Sequence, residues 1–195
     1  MLNLANLYIQ QGMFHKALDY LNLVLSYRVG EHFMELRGED NMEYDENNQI
    51  KFENYHLDEI EQIKNNKIPL CLIPMSKCYR ELKEYEKSIK LSKRALELLR
   101  TFYKENNVLI ATVHNNMGLT YKVMKGYNKA EESYLKALEI RKSILNEEHP
   151  DIIATKHNLG ELYLAMDQPE KAQEYLFSNV DTMKKQLSKE QLSQQ

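Results

Sequence analysis

Apolar residues recur along most of this chain at the spacing of an α-helix. Leu4, Leu7 and Tyr8 make one stripe at i, i+3 and i+4. Gly12 interrupts it, and Phe14, Ala17, Leu18, Leu21 and Leu25 make a second. Two helices joined by a short Gly-containing turn predict a helical hairpin. The same pattern is predicted to return three times. Over 68–102, Tyr79, Leu82 and Tyr85 close one helix and open the next, whose face carries Ser88, Leu91, Ser92, Ala95, Leu96 and Leu99. Over 108–145, Val113, Met117, Tyr121 and Met124 precede a turn at Gly126, and Ala130, Tyr134, Ala137, Leu138 and Leu145 follow it. Over 150–186, Leu159, Gly160, Leu162 and Tyr163 precede a turn assigned to Pro169, and Ala172, Leu176 and Val180 follow. Pro69 and Pro150 suit the first turn of a helix. Pro74 predicts a late start or a kink in its helix.

Residues 37–67 break the pattern. The run from Arg37 to Gln49 is polar, acidic and without period, so it cannot bury enough apolar surface to offset the entropy of ordering it. It reads as an exposed insertion, either a solvated loop or a docking segment for a basic partner. His56 to Lys67 is predicted to add a short helix with Leu57, Ile60 and Ile63 on one side. Residues 187–195 read as a polar tail. Residues 1–36 enter mid-pattern without a capping residue, as a truncated first hairpin or one that another segment covers.

The hairpins are copies of one another. Asn116, Gly118, Tyr121 and Ala130 recur 42 positions later as Asn158, Gly160, Tyr163 and Ala172, and Leu138 returns as Val180. Tyr79 and Tyr121 are again 42 apart, whereas Tyr8 and Tyr79 are 71 apart, which places 29 extra residues between the first two hairpins. A fixed offset of this length marks a repeat array. The predicted fold is therefore all-α, a right-handed α-solenoid of about four antiparallel helix hairpins with an acidic insertion after the first. No hairpin of this kind buries its apolar face alone, and stacking supplies the core. Gly118, Ala130 and Ala137 are predicted where helices approach closely. Tyr8, Tyr79, Tyr121 and Tyr163 are predicted to pack between helices rather than to bind a ligand.

Composition and charge narrow the chemistry. The chain has 195 residues, with only 6 Gly, 4 Pro and no Trp, which favours helices over a turn-rich β fold. A net charge of −3 gives no general electrostatic case for nucleic acid. No apolar run reaches the ~18–20 residues that span a bilayer, so direct membrane insertion is not expected. The first residues have no basic region, apolar core or cleavage site of a secretory signal, and no Arg-rich transit pattern. Cys71 and Cys78 would lie about 10 Å apart on a helix, too far for a disulfide. Two buried thiols in a reducing intracellular compartment are expected, cytoplasmic or cytoskeletal and ciliary, or mitochondrial if a transit peptide is missing.

No Gly-rich phosphate loop, CxxC, HExxH or GxSxG occurs. His15, His32, His56, His114, His149 and His157 read as polar helix-surface residues. None pairs with another His or Cys at ligand spacing, and a metal site needs three or four convergent ligands. No catalytic residue, metal or cofactor is expected, and the chain is not expected to be an enzyme.

The repeat positions carry a family resemblance. Leu4-Ala5…Tyr8…Ala17…Leu21, Met117-Gly118…Tyr121…Ala130…Tyr134…Ala137 and Leu159-Gly160…Tyr163…Ala172…Leu176 resemble the tetratricopeptide repeat. Met75-Ser76…Tyr79…Ser88…Ser92…Ala95 is a weaker copy, with serines in place of the small and aromatic residues. The 42-residue offset and the stretch Ala137-Leu138-Glu139-Ile140-Arg141…Glu148-His149-Pro150-Asp151…Thr155…Asn158 resemble the kinesin-light-chain and nephrocystin type of this repeat. The resemblance implies a binding scaffold or adaptor for other proteins, in which the first helix of each pair lines a concave groove. Carried over, the candidate groove residues are Asn3, Asn6, Lys77, Arg80, Asn115, Asn116, Lys122, His157, Asn158 and Glu161. Asn116 and Asn158 would either grip a peptide backbone or bond neighbouring helices. Lys77, Arg80 and Lys122 would favour an acidic peptide. The chaperone-tail clamp of this family needs Lys where Asn115 or His157 stands and Asn where Leu119 or Glu161 stands. The other reading is a structural subunit embedded in a large ciliary, cytoskeletal or respiratory assembly.

Overall fold

The computed structural model describes residues 2–37 and 67–177. Eight helices occupy them: α1 (Leu2–Gln10), α2 (Phe14–Arg37), α3 (Pro69–Glu81), α4 (Tyr85–Phe102), α5 (Val108–Val123), α6 (Tyr127–Ile144), α7 (Pro150–Ala165) and α8 (169–177). The fold is all-α, and consecutive helices pack as antiparallel pairs of the tetratricopeptide type. The acidic run, its expected short helix, Val180 and the tail fall outside the described residues.

One local motif closes every hairpin. In each turn a single residue takes the left-handed conformation: Gly12 (φ 74), Lys83 (φ 65), Lys125 (φ 61) and Asp167 (φ 56). The next backbone N–H then reaches back to a tyrosine carbonyl, as Met13→Tyr8 at 2.8 Å, Glu84→Tyr79 at 2.8 Å, Gly126→Tyr121 at 2.9 Å and Gln168→Tyr163 at 2.9 Å. This is the Schellman arrangement, which satisfies carbonyls that the helix end would leave without donors. The sequence marker Gly126 therefore lies beside the left-handed residue, not at it. Helix starts are also copied. Asn107 Oδ1 accepts from Leu109 N–H at 2.8 Å, and 42 residues on His149 Nδ1 accepts from Asp151 N–H at 3.1 Å.

Two sequence expectations need correction. Helix α3 starts at Pro69, so Pro74 lies inside it, and of the two effects expected of it the late start does not occur. Proline has no N–H to offer the Leu70 carbonyl. Pro169 does not occupy the turn; it is the first residue of α8, where its missing N–H costs no helical bond. Helix α2 runs to Arg37.

The described helices fall in two compact units, Met1–Phe102 and Tyr103–Gln195. In the first, α2 packs against α1 and α3, and α4 packs against α3. Its fully buried residues include Ala5, Ala17, Leu21, Cys71, Leu72 and Leu99. In the second, α6 packs against both α5 and α7. The core there joins Ala130, Tyr134, Leu138, Ile152, Leu159, Leu162, Tyr163 and Ala172. Gly118 and Gly160 set how near the paired helices come. A Cβ on Gly118 would lie 2.6 Å from the Tyr134 ring, and one on Gly160 would lie 2.6 Å from Leu176 Cγ. Both cysteines are buried, and burial pushes the Cys78 thiol up to about 11.

Candidate functional site

Helices α5 and α7 are the first helices of their pairs and touch within the second unit. Their candidate residues meet in two places. Asn158 Nδ2 donates to Asn115 Oδ1 at 3.1 Å. That bond uses one hydrogen of Asn158 and one lone pair of Asn115, so the Asn115 amide N–H groups and the Asn158 carbonyl oxygen remain outside it. Further along, Lys122 Nζ donates to Glu161 Oε2 at 2.7 Å, and His157 Nε2 lies 3.3 Å from Glu161 Oε1. The Lys122 hydrogen bond is the largest cause holding the Glu161 carboxyl below the usual carboxylate range. Asn116 is half-buried, and its main-chain carbonyl accepts from Thr120 Oγ1 at 3.0 Å. Of the two roles open to Asn158, the interhelical bond is present, and it leaves part of each amide for another partner.

The other candidates lie in the first unit. Asn3 and Asn6 are exposed on α1, and Lys77 is exposed on α3. Arg80 is half-buried on α3 and pairs with Glu81 at 2.6 Å. Among the described residues no hydrogen bond joins these four to one another. One further expectation fails: His114 is not a surface histidine but is 6% exposed, beside the Met117 and Gly118 layer of α5.

The repeated tyrosines are structural. Tyr8 stacks on Tyr20 at 5.4 Å between centroids, and Tyr163 stacks on Tyr175 at 5.6 Å. A lysine eight residues on covers three of the rings: Lys87 over Tyr79, Lys129 over Tyr121 and Lys171 over Tyr163, at 5.2–5.8 Å. The Tyr163 hydroxyl donates to Glu131 at 2.6 Å. Its pKa is raised, first by burial and then by that carboxylate.

Sequence reasoning missed the role of Arg141. This side chain is 5% exposed at the C-terminal end of α6. It donates to the Asp151 carbonyl at 2.8 Å and to Thr155 Oγ1, and so ties α6 to the start of α7. Burial lowers its pKa, and Asp151 opposes that. The available signal was its register: 42 residues earlier stands the fully buried Leu99. Beside it, Glu147 joins Lys156 at 3.2 Å and Lys142 at 3.5 Å.

Among the described residues no three His, Cys, Asp or Glu side chains converge on a metal position, and no helix is long and apolar enough to cross a membrane. The chemistry this surface offers is hydrogen bonding and ion pairing.

Known proteins agree with the helix pattern. Tetratricopeptide repeat models match residues 1–28, 72–143 and 109–176. No curated protein matches the sequence significantly. Solved structures of similar fold include BtubC (BKLC) from P. vanneervenii, at 20% identity and a TM-score of 0.69, over 94% of this chain and 61% of that one. The nearly identical TPR-like repeats of a candidate kinesin light chain from Podospora anserina match at 16% identity and a TM-score of 0.67, over 94% and 74%. The apo form of RapI matches at 19% and 0.65, over 97% and 57%. The chain thus spans about three fifths of the length of BtubC, and at these identities the likeness is one of fold. With its models covering residues 72–176 and 1–28, the chain belongs to the tetratricopeptide repeat family.

Proposed function

We propose that this protein is a non-enzymatic adaptor that captures a segment of another protein on the polar strip of α5 and α7. Tetratricopeptide repeat proteins generally mediate protein–protein interactions, and that general role frames the reading. The observation that supports it is the Asn115–Asn158 pair at 3.1 Å, with Asn116 beside it. Two amides held in place by one shared bond present fixed donors and acceptors, the chemistry that grips a main chain with little regard to its side chains.

Charge plays a smaller part than the count of basic residues implies. Lys122 is already bonded to Glu161. An acidic segment gains from Lys122 only by displacing Glu161, so most of the charge-assisted bond is exchanged rather than added. The preferred ligand is an extended or helical segment held chiefly by amides, with an acidic group near Lys122 as a secondary preference. The two buried thiols suit a reducing compartment.

Selection of a displayed random-peptide library on the full chain tests this. Selected peptides should lose about tenfold or more in affinity on Asn115→Ala/Asn158→Ala, with the helical melt unchanged. Peptides that bind both proteins alike would place the site elsewhere.

A further inference from the structure

We infer that His157 is a proton-operated selector for the α5–α7 strip: once protonated, it takes over the Glu161 carboxylate and frees Lys122 for an acidic segment of the partner. The inference rests on the reading of that strip as a binding site and adds its regulation. Glu161 Oε2 accepts from Lys122 Nζ at 2.7 Å, and Glu161 Oε1 lies 3.3 Å from His157 Nε2. One carboxylate therefore stands between two basic groups, each at its own oxygen. His157 and Glu161 are four apart on α7, the spacing at which helix side chains meet. Asn115 and Lys122 are seven apart on α5, about two turns, and Asn158 and Glu161 are three apart on α7. The charged trio and the amide pair thus share one strip. The His157 side chain is 58% exposed, so it exchanges protons with water.

Imidazole is the side chain whose charge changes between about pH 8 and pH 5. The Glu161 carboxyl is held below its ordinary value of 4.5, first by the Lys122 hydrogen bond, and stays ionised over that range. With His157 neutral, the charges of Lys122 and Glu161 cancel. With His157 protonated, the three groups sum to one positive charge, and two cations compete for one carboxylate. A partner carboxylate then gains a charge-assisted bond without displacing Glu161 outright. The other titratable groups around α7 are engaged elsewhere. On α5, His114 is buried and acts on Glu132, and Tyr121 lies under Lys129. On α6, Glu131 accepts from the Tyr163 hydroxyl, and Arg141 holds Asp151 and Thr155 of α7. On α7 itself, Lys156 pairs with Glu147. On α8, Lys171 lies over Tyr163, and Glu174 acts on Tyr163 and Tyr175. Among the described residues, the charges acting on Glu161 are those of Lys122 and His157.

Carboxyl-carbon NMR and peptide titration on the full chain test it together. Between about pH 8 and pH 5.5 the Glu161 carboxyl signal should move with the protonation of an imidazole in the native chain, and stay still in His157→Gln. Over the same range a library-selected peptide bearing one carboxylate side chain should gain about two- to fivefold in affinity for the native chain, the worth of one partly exposed charge pair. Its amide counterpart should gain nothing, and neither should the acidic peptide with His157→Gln. A Glu161 signal that stays still in the native chain, or an acidic-peptide gain that survives His157→Gln, would overturn the inference. A flat pH profile for a peptide that Asn115→Ala/Asn158→Ala weakens would overturn it and leave the strip as the binding site. A peptide indifferent to the double variant would overturn both.

Discussion

The Tyr134 ring lies so close to Gly118 that a Cβ there would sit 2.6 Å from both Cδ1 and Cε1. Tyr134 is fully buried in a close-packed core, so neither side can give way cheaply. Gly118→Ala should therefore destabilise by about 1–3 kcal/mol, the usual range for overpacking a core. Gly160→Ala faces Leu176 at the same 2.6 Å, but Leu176 is only half-buried and can change rotamer. Its cost should be the smaller of the two. Chemical denaturation of the two variants checks the order.

The left-handed turn residues lead to substitutions of opposite sign. Lys83, Lys125 and Asp167 hold positive φ with side chains that disfavour it. Replacing Lys83 or Lys125 with Gly should stabilise by about 0.5–1 kcal/mol, as relief of strain exceeds the added entropy of the unfolded chain. Gly12→Ala meets no neighbour within 4 Å but should still destabilise by about 1 kcal/mol, because the cost lies in φ rather than space. Thermal melts of the set measure this.

Arg141 joins α6 to α7 through hydrogen bonds to the Asp151 carbonyl and the Thr155 hydroxyl. Arg141→Met should cost about 1–3 kcal/mol by leaving the buried Thr155 hydroxyl and the Asp151 carbonyl with fewer donors. Arg141→Lys should restore little, since a single ammonium cannot reproduce the guanidinium fork. Equal stability of the Lys variant and the native protein would count against this role.

Acid should weaken the Lys122–Glu161 contact. The Glu161 carboxyl is held below its ordinary value of 4.5, first by the Lys122 hydrogen bond. A carboxyl with a lowered folded-state pKa contributes stability above its unfolded value and loses it as pH falls through the folded one. The melting-temperature gap between the native protein and Glu161→Gln should be complete above about pH 4.5 and close below it. The gap should also be small, because the pair is partly solvent-exposed. A gap independent of pH would show that the ion pair does not act as described.

The pairing of helices was legible because it depends on residues that repeat. The tyrosine register, the glycines at close approaches and the first-turn Pro150 all recur or follow a local rule. What was not legible depends on partners distant in sequence. Asn158 meets Asn115, 43 positions away, one step off the 42-residue register, so comparing equivalent positions pairs it with Asn116 instead. His114 looked like a surface residue because a histidine has no fixed place in an apolar stripe, yet tertiary packing encloses it. Leu4 and Leu7 stand in the apolar stripe of α1, and the structure shows them 37% and 46% exposed.

The central claim is that the Asn115–Asn158 pair on α5 and α7 holds a partner segment. The most direct measurement is a titration of one library-selected peptide into the native chain, Asn115→Ala/Asn158→Ala and Glu161→Gln. The account expects the double variant to lose about tenfold or more in affinity. It expects Glu161→Gln to bind an acidic peptide more tightly, because Lys122 no longer has to give up a carboxylate. Unchanged affinity in the double variant, with its helical melt intact, would contradict the account.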